Sequence, residues 1–264
     1  MSDDIARLHY FGGTTGHWAG WCARLDPIDF EKRPWVPHSG WPIGYADLES
    51  YYARAHLYPE LGAYEYSAAA FENPAEGHVA LPLDEAVVWT KMWHFSPPTR
   101  FGKRYRPALV HANNTHVFTH AGVTDLETDA DVRTLNTVHI HTKNGRHHQV
   151  RARFVVLACG AIQNARVLLA ANRQAPNGLG NDHDQVGRYF MEHFEMGGGQ
   201  LQLKENNTLS LYASRFYGKR QPAGEFAITE QVQWQHGILN GTASTRPGRF
   251  PDEIASFFCP IHRT

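Results

Sequence analysis

The chain has 264 residues, with 25 Lys and Arg against 26 Asp and Glu, so its formal net charge is −1. This length is enough for one large domain or two ordinary domains with a sizeable buried core. The near-zero charge argues against a dedicated nucleic-acid-binding protein, because such a protein needs a basic surface to displace counterions. The 3 cysteines form no CxxC pair and give no disulfide framework.

No membrane-spanning or targeting segment is visible in the sequence. The longest apolar run, residues 154–162, is far shorter than the roughly 20 residues that a spanning helix needs. The N-terminus is acidic and no apolar stretch follows it, so a cytoplasmic location is expected if Met1 is the true start. If it is not, the location is unknown, and a periplasmic full-length protein stays open.

The first predicted elements are a glycine-rich loop and a helix. The loop, Phe11–Gly20, contains paired glycines, two threonines, a histidine and a tryptophan. The helix is predicted over Tyr45–His56, because Asp47 and Glu49 lie in its first turn, where the helix dipole favours acidic side chains. The basic stretch 100–106 is interpreted as a solvated loop.

Alternating residues predict strands further along the chain. Two are expected at Thr115–Thr119 and Gly122–Glu127. Another two, Thr137–Thr142 and His148–Arg153, flank Asn144-Gly145, which is a strong hairpin signal.

A continuous apolar run, Phe154–Gly160, then ends in glycine and predicts a buried parallel strand. The next segment, Ala161–Asn172, has helical periodicity. Short strands are expected at Gln200–Leu203 and Glu225–Trp234.

Two of these segments suit a nucleotide cofactor. Strand, glycine and helix in succession bring backbone N–H groups to a phosphate, although the same order occurs in any α/β core. In the loop, His17 and Trp18 suit contact with a planar ring, although such loops are often only turns. From the residues alone both interpretations stay open for each segment.

Several histidines and aromatic residues have alternative interpretations. Four histidines near the hairpin are compatible with a metal site, but no Cys or acidic ligand has a fitting spacing, so a solvated hairpin face is favoured and no metal ligand is assigned. Cys159 is either a reactive thiol at a helix N-terminus or, as favoured, a small residue that fits tightly against a nucleotide or the core. The aromatic stretch Trp89–Phe101 forms either the wall of a sugar site or core. The four histidines near the hairpin are His139, His141, His147 and His148.

Several ordered motifs resemble the glucose–methanol–choline (GMC) family of FAD-dependent oxidoreductases. The similarity is greatest to the branch that contains pyranose oxidase and the bacterial sugar and polyol dehydrogenases. It covers about residues 5–195. The segments that carry it are 12–20, 24–30, 40–52, 154–169, 178–181 and 186–193.

This resemblance implies an enzyme that uses FAD to oxidise a CH–OH group of a small-molecule alcohol, sugar or polyol. Hydride would pass to flavin N5, and the electrons would pass to an acceptor that the sequence does not identify: oxygen, a quinone or a cytochrome subunit. The implied fold is α/β with α+β. A partial Rossmann-like FAD-binding domain (1–30 and 107–193) would be interleaved with a partial antiparallel-sheet substrate domain (31–106 and 194–264).

The resemblance also assigns cofactor-binding residues. Those beside the isoalloxazine ring would be Gly12, Gly13, Thr14, Thr15, His17 and Trp18. His17 falls where some members attach the flavin covalently, and a noncovalent ring contact is the alternative. Those beside the adenine and diphosphate would be Val123, Ala158, Cys159, Gly160 and Asn164. For Asn164, a purely structural role is the alternative.

The sequence departs from the family pattern at both ends. No G-x-G-x-x-G turn is present: Gly178-x-Gly180 has His183 in the third position. The expected catalytic His and its His or Asn partner would lie beyond Thr264, so the catalytic residues are unknown. A central fragment that binds FAD poorly and turns over no alcohol is therefore expected. The alternatives are a non-catalytic remnant or accessory protein of the same fold and a His-rich metal-binding protein.

Overall fold

A computed structural model describes residues 7–193, 196, 199, 209–213 and 222–245. These residues divide into two compact units. Unit 1 contains residues 7–106 and the described residues from 199 onwards, and unit 2 contains residues 107–193 and 196. The two units are defined by contacts between residues. The predicted FAD-binding and substrate domains are defined by function, and that division stays a prediction.

The described elements are short helices and antiparallel strands, so the fold is mixed α and β. The helices are α1 (Tyr45–Ala55), α2 (Phe101–Val110), α3 (Ala161–Ala170), α4 (Ser210–Ala213) and α5 (Glu230–His236). The strands are β1 (Trp21–Cys22), β2 (Val88–Phe95), β3 (Ala121–Thr128), β4 (Leu135–Thr142), β5 (His147–Val150), β6 (Ala223–Ile228) and β7 (Thr242–Ala243).

Unit 1 is built on a four-stranded antiparallel sheet in the order β1-β2-β6-β7. β2 pairs with β6 along Val88–Trp93, whereas β1 pairs only with Phe95 and His94. One side of β2 is therefore covered along most of its length, and the other only at its end. The core packed against β2 consists of Met92, Leu211 and Tyr212 with partly buried neighbours such as Tyr66 and Phe226.

Of two helices in unit 1, the first was predicted from the sequence and the second was not. The predicted helix over Tyr45–His56 is confirmed as α1, and the Gly44 backbone N–H donates to Asp47 Oδ2 at 2.8 Å at its start. The solvated loop expected at 100–106 is wrong, because most of that stretch forms α2. The described boundary between the two units falls inside α2, before Pro107.

Unit 2 is a three-stranded antiparallel meander in the order β3-β4-β5, with α3 packed against it. The predicted hairpin is confirmed, since β4 and β5 flank Asn144-Gly145 and the Gly145 φ is +81°. The predicted helix after residue 160 is confirmed as α3. Leu126, Val138, Val167 and Ala171 form the core between the meander and α3.

Two strands predicted in unit 2 are wrong. Residues 115–119 and 154–160 have no strand structure. Phe154 and Val156 are 80% and 84% exposed, so the apolar run is not a buried strand. Its backbone has no sheet neighbour in the described chain, since the ladder from β4 ends at Val150. All described strand pairs are antiparallel, and the Rossmann-like character of the fold is not confirmed.

The strand predicted at Glu225–Trp234 is half right, because β6 ends at Ile228 and α5 follows. Thr229 explains the change, since its Oγ1 accepts from the Val232 backbone N–H at 3.3 Å and caps the helix. The strand predicted at Gln200–Leu203 lies outside the described residues. Within those residues, no helix is both long enough and apolar enough to cross a bilayer.

Unit 1 contains a buried group of aromatic and histidine rings. His56 and His94 are 5% and 2% exposed, with ring centroids 5.0 Å apart. Tyr66 lies beside both rings, and its hydroxyl is 2.9 Å from His56 Nε2. Burial, together with the neighbouring His94, lowers the pKa of His56.

The pH dependence of stability follows from this burial. As pH falls below the ordinary histidine pKa of about 6.5, the unfolded chain takes up a proton that folded His56 resists. The free energy of unfolding should therefore fall between pH 7.5 and 5.5, as urea denaturation would measure. His56→Gln should flatten this dependence, whereas His9→Gln, at an exposed position, should not. An unchanged slope in His56→Gln would contradict the assignment.

Candidate functional site

The glycine-rich loop (residues 11–18) of unit 1 is fixed by contact between two backbones. Gly12 has a φ of +96°, and a Cβ placed on it would lie 2.4 Å from the Gly102 backbone nitrogen. A Cβ on Gly102 would lie 2.2 Å from the Phe11 carbonyl oxygen. The loop therefore packs directly on the first turn of α2, and each of these two positions accepts only glycine without a backbone shift.

Hydrogen bonds hold the rest of the loop. The Thr15 hydroxyl donates to the Gly12 carbonyl at 2.6 Å and accepts from the Phe101 backbone N–H at 3.2 Å. The Arg100 guanidinium donates to the carbonyls of Thr15 and Trp18, at 3.3 and 2.8 Å. These carbonyls are thus turned towards α2.

Trp18 is held at both its ring edge and its indole nitrogen. Its Nε1 donates to the Thr99 carbonyl at 2.9 Å, and its ring meets Phe101 edge to face at 6.1 Å. The side chain is therefore part of the packing between the loop and α2. Its predicted contact with a flavin ring stays a prediction.

His17 lies on the exposed side of the loop. Its ring Nδ1 is 2.9 Å from the Thr14 carbonyl oxygen, which also accepts from the His17 backbone N–H at 3.2 Å. In the tautomer that donates from Nδ1, the ring lone pair lies on Nε2. The loop thus presents an imidazole in a defined orientation, as a nucleophile or a ring contact requires.

The second predicted group forms a turn before α3 in unit 2. The Cys159 backbone N–H donates to Asn164 Oδ1 at 2.9 Å, and Asn164 Nδ2 donates to the Leu157 carbonyl at 3.0 Å. Gly160 has a φ of +87°, and no heavy atom lies within 4 Å of where its Cβ would be. Asn164 therefore shapes the turn, and the space over Gly160 is open.

Val123 lies in the same unit, on β3 opposite Ile140. Val123 and Leu157 pack against the same hydrophobic core of unit 2, which links the strand to the turn through Leu126, Val138 and Val167. The predicted site residues thus fall into two sets. One is the loop with Gly12, Gly13, Thr14, Thr15, His17 and Trp18 in unit 1, and the other is Val123, Ala158, Cys159, Gly160 and Asn164 in unit 2.

Arg100 and Gly102 contribute to the loop, although the sequence analysis did not select them. A signal existed for Gly102, because glycine inside a helical pattern is unfavourable and often marks a close backbone approach. For Arg100 no local pattern indicates its two carbonyl partners, which lie more than 80 residues away along the chain.

The histidines of the hairpin have local partners. His139 Nε2 is 2.6 Å from Glu127 Oε2, and the rings of His141 and His147 stack with centroids 4.3 Å apart. No three His, Cys, Asp or Glu side chains come together as a metal site in the part of the chain that the structure describes. The metal-binding alternative gains no support from these contacts.

Two cysteines lie within the described residues, and they differ in exposure. Cys159 is exposed, whereas Cys22 is partly buried. Burial raises the pKa of Cys22 to about 11, so its side chain is a neutral thiol near pH 7. Its exposure shows that Cys159 is not packed into the core, whereas a reactive thiol and a small residue beside a nucleotide stay predictions. Its backbone N–H is the group that contributes to the turn.

Comparison with known proteins identifies two dehydrogenases as relatives. This chain is 28% identical to the 2-methyl-1,2-propanediol dehydrogenase of Mycolicibacterium austroafricanum, over 70% of this chain and 41% of that protein. It is 25% identical to the fructose dehydrogenase large subunit of Gluconobacter japonicus, with the same coverage of both chains. No family model matches the chain. The alignments span less than half the length of either relative, and both relatives support an oxidoreductase.

Substitution of Gly12 tests the backbone contact with Gly102. Gly12→Ala should cost roughly 1–2 kcal/mol for its positive φ, and about 1–3 kcal/mol more because the loop must move away from α2. Gly62→Ala is the matched control, since Gly62 has a φ of +84° and no atom within 4 Å. Urea denaturation measures both. Equal losses in the two variants would contradict the contact.

Proposed function

We propose that this chain is part of an FAD-dependent oxidoreductase of the GMC type, which oxidises a CH–OH group of a small alcohol, sugar or polyol. The observation that carries the proposal is the immobilised glycine-rich loop with His17 on its exposed side. The motifs that resemble this family support it, as do the two dehydrogenase relatives.

The turn before α3 has features that suit a dinucleotide. The space over Gly160 is open, so a ligand can approach the backbone, and the first N–H groups of α3 follow directly. Such groups favour a phosphate through their partial positive charge. The exposed Cys159 and Ala158 present no bulky side chain against this approach. The residues present therefore fit a diphosphate group.

The loop of unit 1 suits the flavin ring. When bound, FAD would supply the hydride acceptor, at N5. The chain's own contribution would be to orient the ring: Gly12 lets the loop pack on α2, Gly13 leaves space beside the backbone, and Arg100 holds the Thr15 and Trp18 carbonyls on the α2 side. His17, which is oriented through the Thr14 carbonyl, would hold the flavin either through a covalent bond or by packing beside the ring. No described residue is assigned as the catalytic base.

A non-catalytic protein of the same fold is the rival proposal. Phe154 and Val156 are 80% and 84% exposed, and this exposure does not distinguish the oxidoreductase from the non-catalytic protein. In either protein, further polypeptide or a partner would cover such side chains. What separates the two proposals is the flavin and its reduction.

Anaerobic flavin reduction tests the proposal. The full-length protein that contains this sequence should be purified with flavin bound, and its flavin absorbance should bleach when an oxidisable polyol is added without oxygen. A full-length protein that holds no flavin and takes up none from solution would contradict the proposal.

Acid precipitation tests the role of His17. If the link is covalent, flavin should stay in the pellet of the full-length protein and move to the supernatant in His17→Ala. His9→Ala, at an exposed position just before the loop, is the matched control and should keep flavin in the pellet. Flavin in the supernatant of the unmodified protein would exclude the covalent link.

A further inference from the structure

Three asparagines of the chain are each followed directly by glycine. The pairs are Asn144-Gly145, Asn177-Gly178 and Asn240-Gly241. Such a pair is prone to lose the side-chain amide of its asparagine, because glycine has no Cβ that hinders the approach of its backbone nitrogen to that side chain. All three pairs lie within the described residues, so the structure allows their surroundings to be compared.

In the first two pairs the glycine nitrogen is held in a turn. The Gly145 N–H donates to the Thr142 carbonyl at 3.0 Å, and the Gly178 N–H donates to the Ala175 carbonyl at 2.8 Å. The glycine nitrogen must lose its proton before it can attack the side chain. A hydrogen-bonded N–H loses its proton only after local opening of the structure. The fold therefore protects these two pairs.

The third pair does not have this protection. The Gly241 N–H donates no hydrogen bond within the described part of the chain, and only its carbonyl is engaged, by the Ile228 N–H at 3.4 Å. No heavy atom lies within 4 Å of where a Gly241 Cβ would be, whereas a Cβ on Gly178 would lie 2.9 Å from Leu169 Cα. Asn240 and Gly241 are both exposed. The nitrogen and the space that ring closure needs are thus both available.

The amide of Asn240 makes one hydrogen bond. Its Nδ2 donates to Asp29 Oδ1 at 2.8 Å, whereas its Oδ1 accepts no hydrogen bond from the residues that the structure describes. In Asn144, by contrast, Oδ1 accepts from the Thr142 hydroxyl. The side-chain carbonyl of Asn240 is therefore the less restrained of the two.

We propose that Asn240 is a site of spontaneous deamidation. The Gly241 nitrogen forms a bond to the side-chain carbonyl carbon of Asn240, and the bond from this carbon to Nδ2 breaks. Ammonia leaves with the proton that the Gly241 nitrogen gives up. Water then opens the five-membered succinimide ring at either carbonyl, which gives aspartate or isoaspartate. No electrons are transferred, water is the only other reactant, and the proposal does not depend on the flavin.

The reaction removes a contact within unit 1. Asp29 lies in the short helical turn Pro27–Phe30, and its bond with Asn240 joins this turn to the segment before β7. A carboxylate at position 240 donates no hydrogen bond and repels Asp29. Burial already raises the pKa of Asp29, so a second negative charge there is unfavourable. The contact should therefore weaken as the protein ages, next to a cavity of about 430 Å³ beside β2 that Pro27 helps to line.

Peptide mapping by mass spectrometry tests the proposal on the full-length protein that contains this sequence, after incubation at pH 8.5 and 37 °C. Conversion of amide to acid should be at least about tenfold faster at residue 240 than at residues 144 and 177, which react only after local opening. In urea the three pairs should react at similar rates, because each is Asn-Gly and the hydrogen bonds are lost. Equal rates in the folded protein, or an Asn240 that does not react, would overturn the proposal.

Substitution of the glycine tests the route. Gly241→Ala should slow conversion at residue 240 at least about tenfold, because the added Cβ hinders ring closure. Conversion at Asn144 in the same variant is the internal control and should keep its rate. An unchanged rate at residue 240 in this variant would rule out attack by the Gly241 nitrogen and overturn the proposal.

The aspartate product can be introduced directly to test the consequence for unit 1. Asn240→Asp should lower the urea midpoint of the full-length protein, because it replaces the donor to Asp29 with a negative charge. Asn144→Asp is the matched control, since its carboxylate still accepts from the Thr142 hydroxyl, and it should leave the midpoint unchanged. Equal midpoints in the two variants would overturn the proposed loss of the contact.

Discussion

The contact between Gly12 and Gly102 is the constraint on which the candidate cofactor site of unit 1 depends. It brings the glycine-rich loop onto the backbone of α2, where no side chain fits between them. Arg100 can then reach two loop carbonyls, and Thr15 can bridge the loop to Phe101. Without this approach the loop would lose its contacts with α2, whereas the His17 ring would keep its local partner, the Thr14 carbonyl.

The central strand of unit 1 provides a second constraint. β2 packs Met92 into the core and places Trp89 and Lys91 beside a cavity, because its two sides are covered to different extents. The short β1 covers the end of the strand and then leaves it. The core therefore lies against one face of β2, and β6 pairs with the strand along most of its length, whereas β1 pairs only with its end.

Local patterns predicted the elements that local interactions determine. The helix at 45–55 has an acidic residue at its capped start, and the hairpin has the Asn-Gly turn that fixes its register, so both were predictable. The strand at 154–160 was not correctly predicted, because a run of apolar residues becomes a strand only when another strand pairs with it. The helix α2 was missed for a related reason: its basic residues resemble a solvated loop unless the partners of Arg100 are known.

The candidate site also combines residues that local sequence patterns reveal with residues that depend on distant partners. Glycine pairs and a histidine in a loop were recognisable from the sequence and from resemblance, but the arginine that orients the loop was not. The cavity beside β2 could not be predicted at all, since its lining comes from five separate stretches of the chain. Its aromatic component was anticipated only as one of two interpretations of residues 89–101, as sugar-site wall or core. Met92 lies in the core and Trp89 lines a cavity, and the interpretation as a sugar-site wall stays a prediction.

Hydrogen–deuterium exchange of the full-length protein, with and without FAD, tests the central claim most directly. If the chain contributes a flavin site, FAD should slow exchange in both the loop at 11–18 and the turn at 158–164. The meander strands, which are already hydrogen-bonded, should change little. Binding of FAD that protects neither segment would contradict the account.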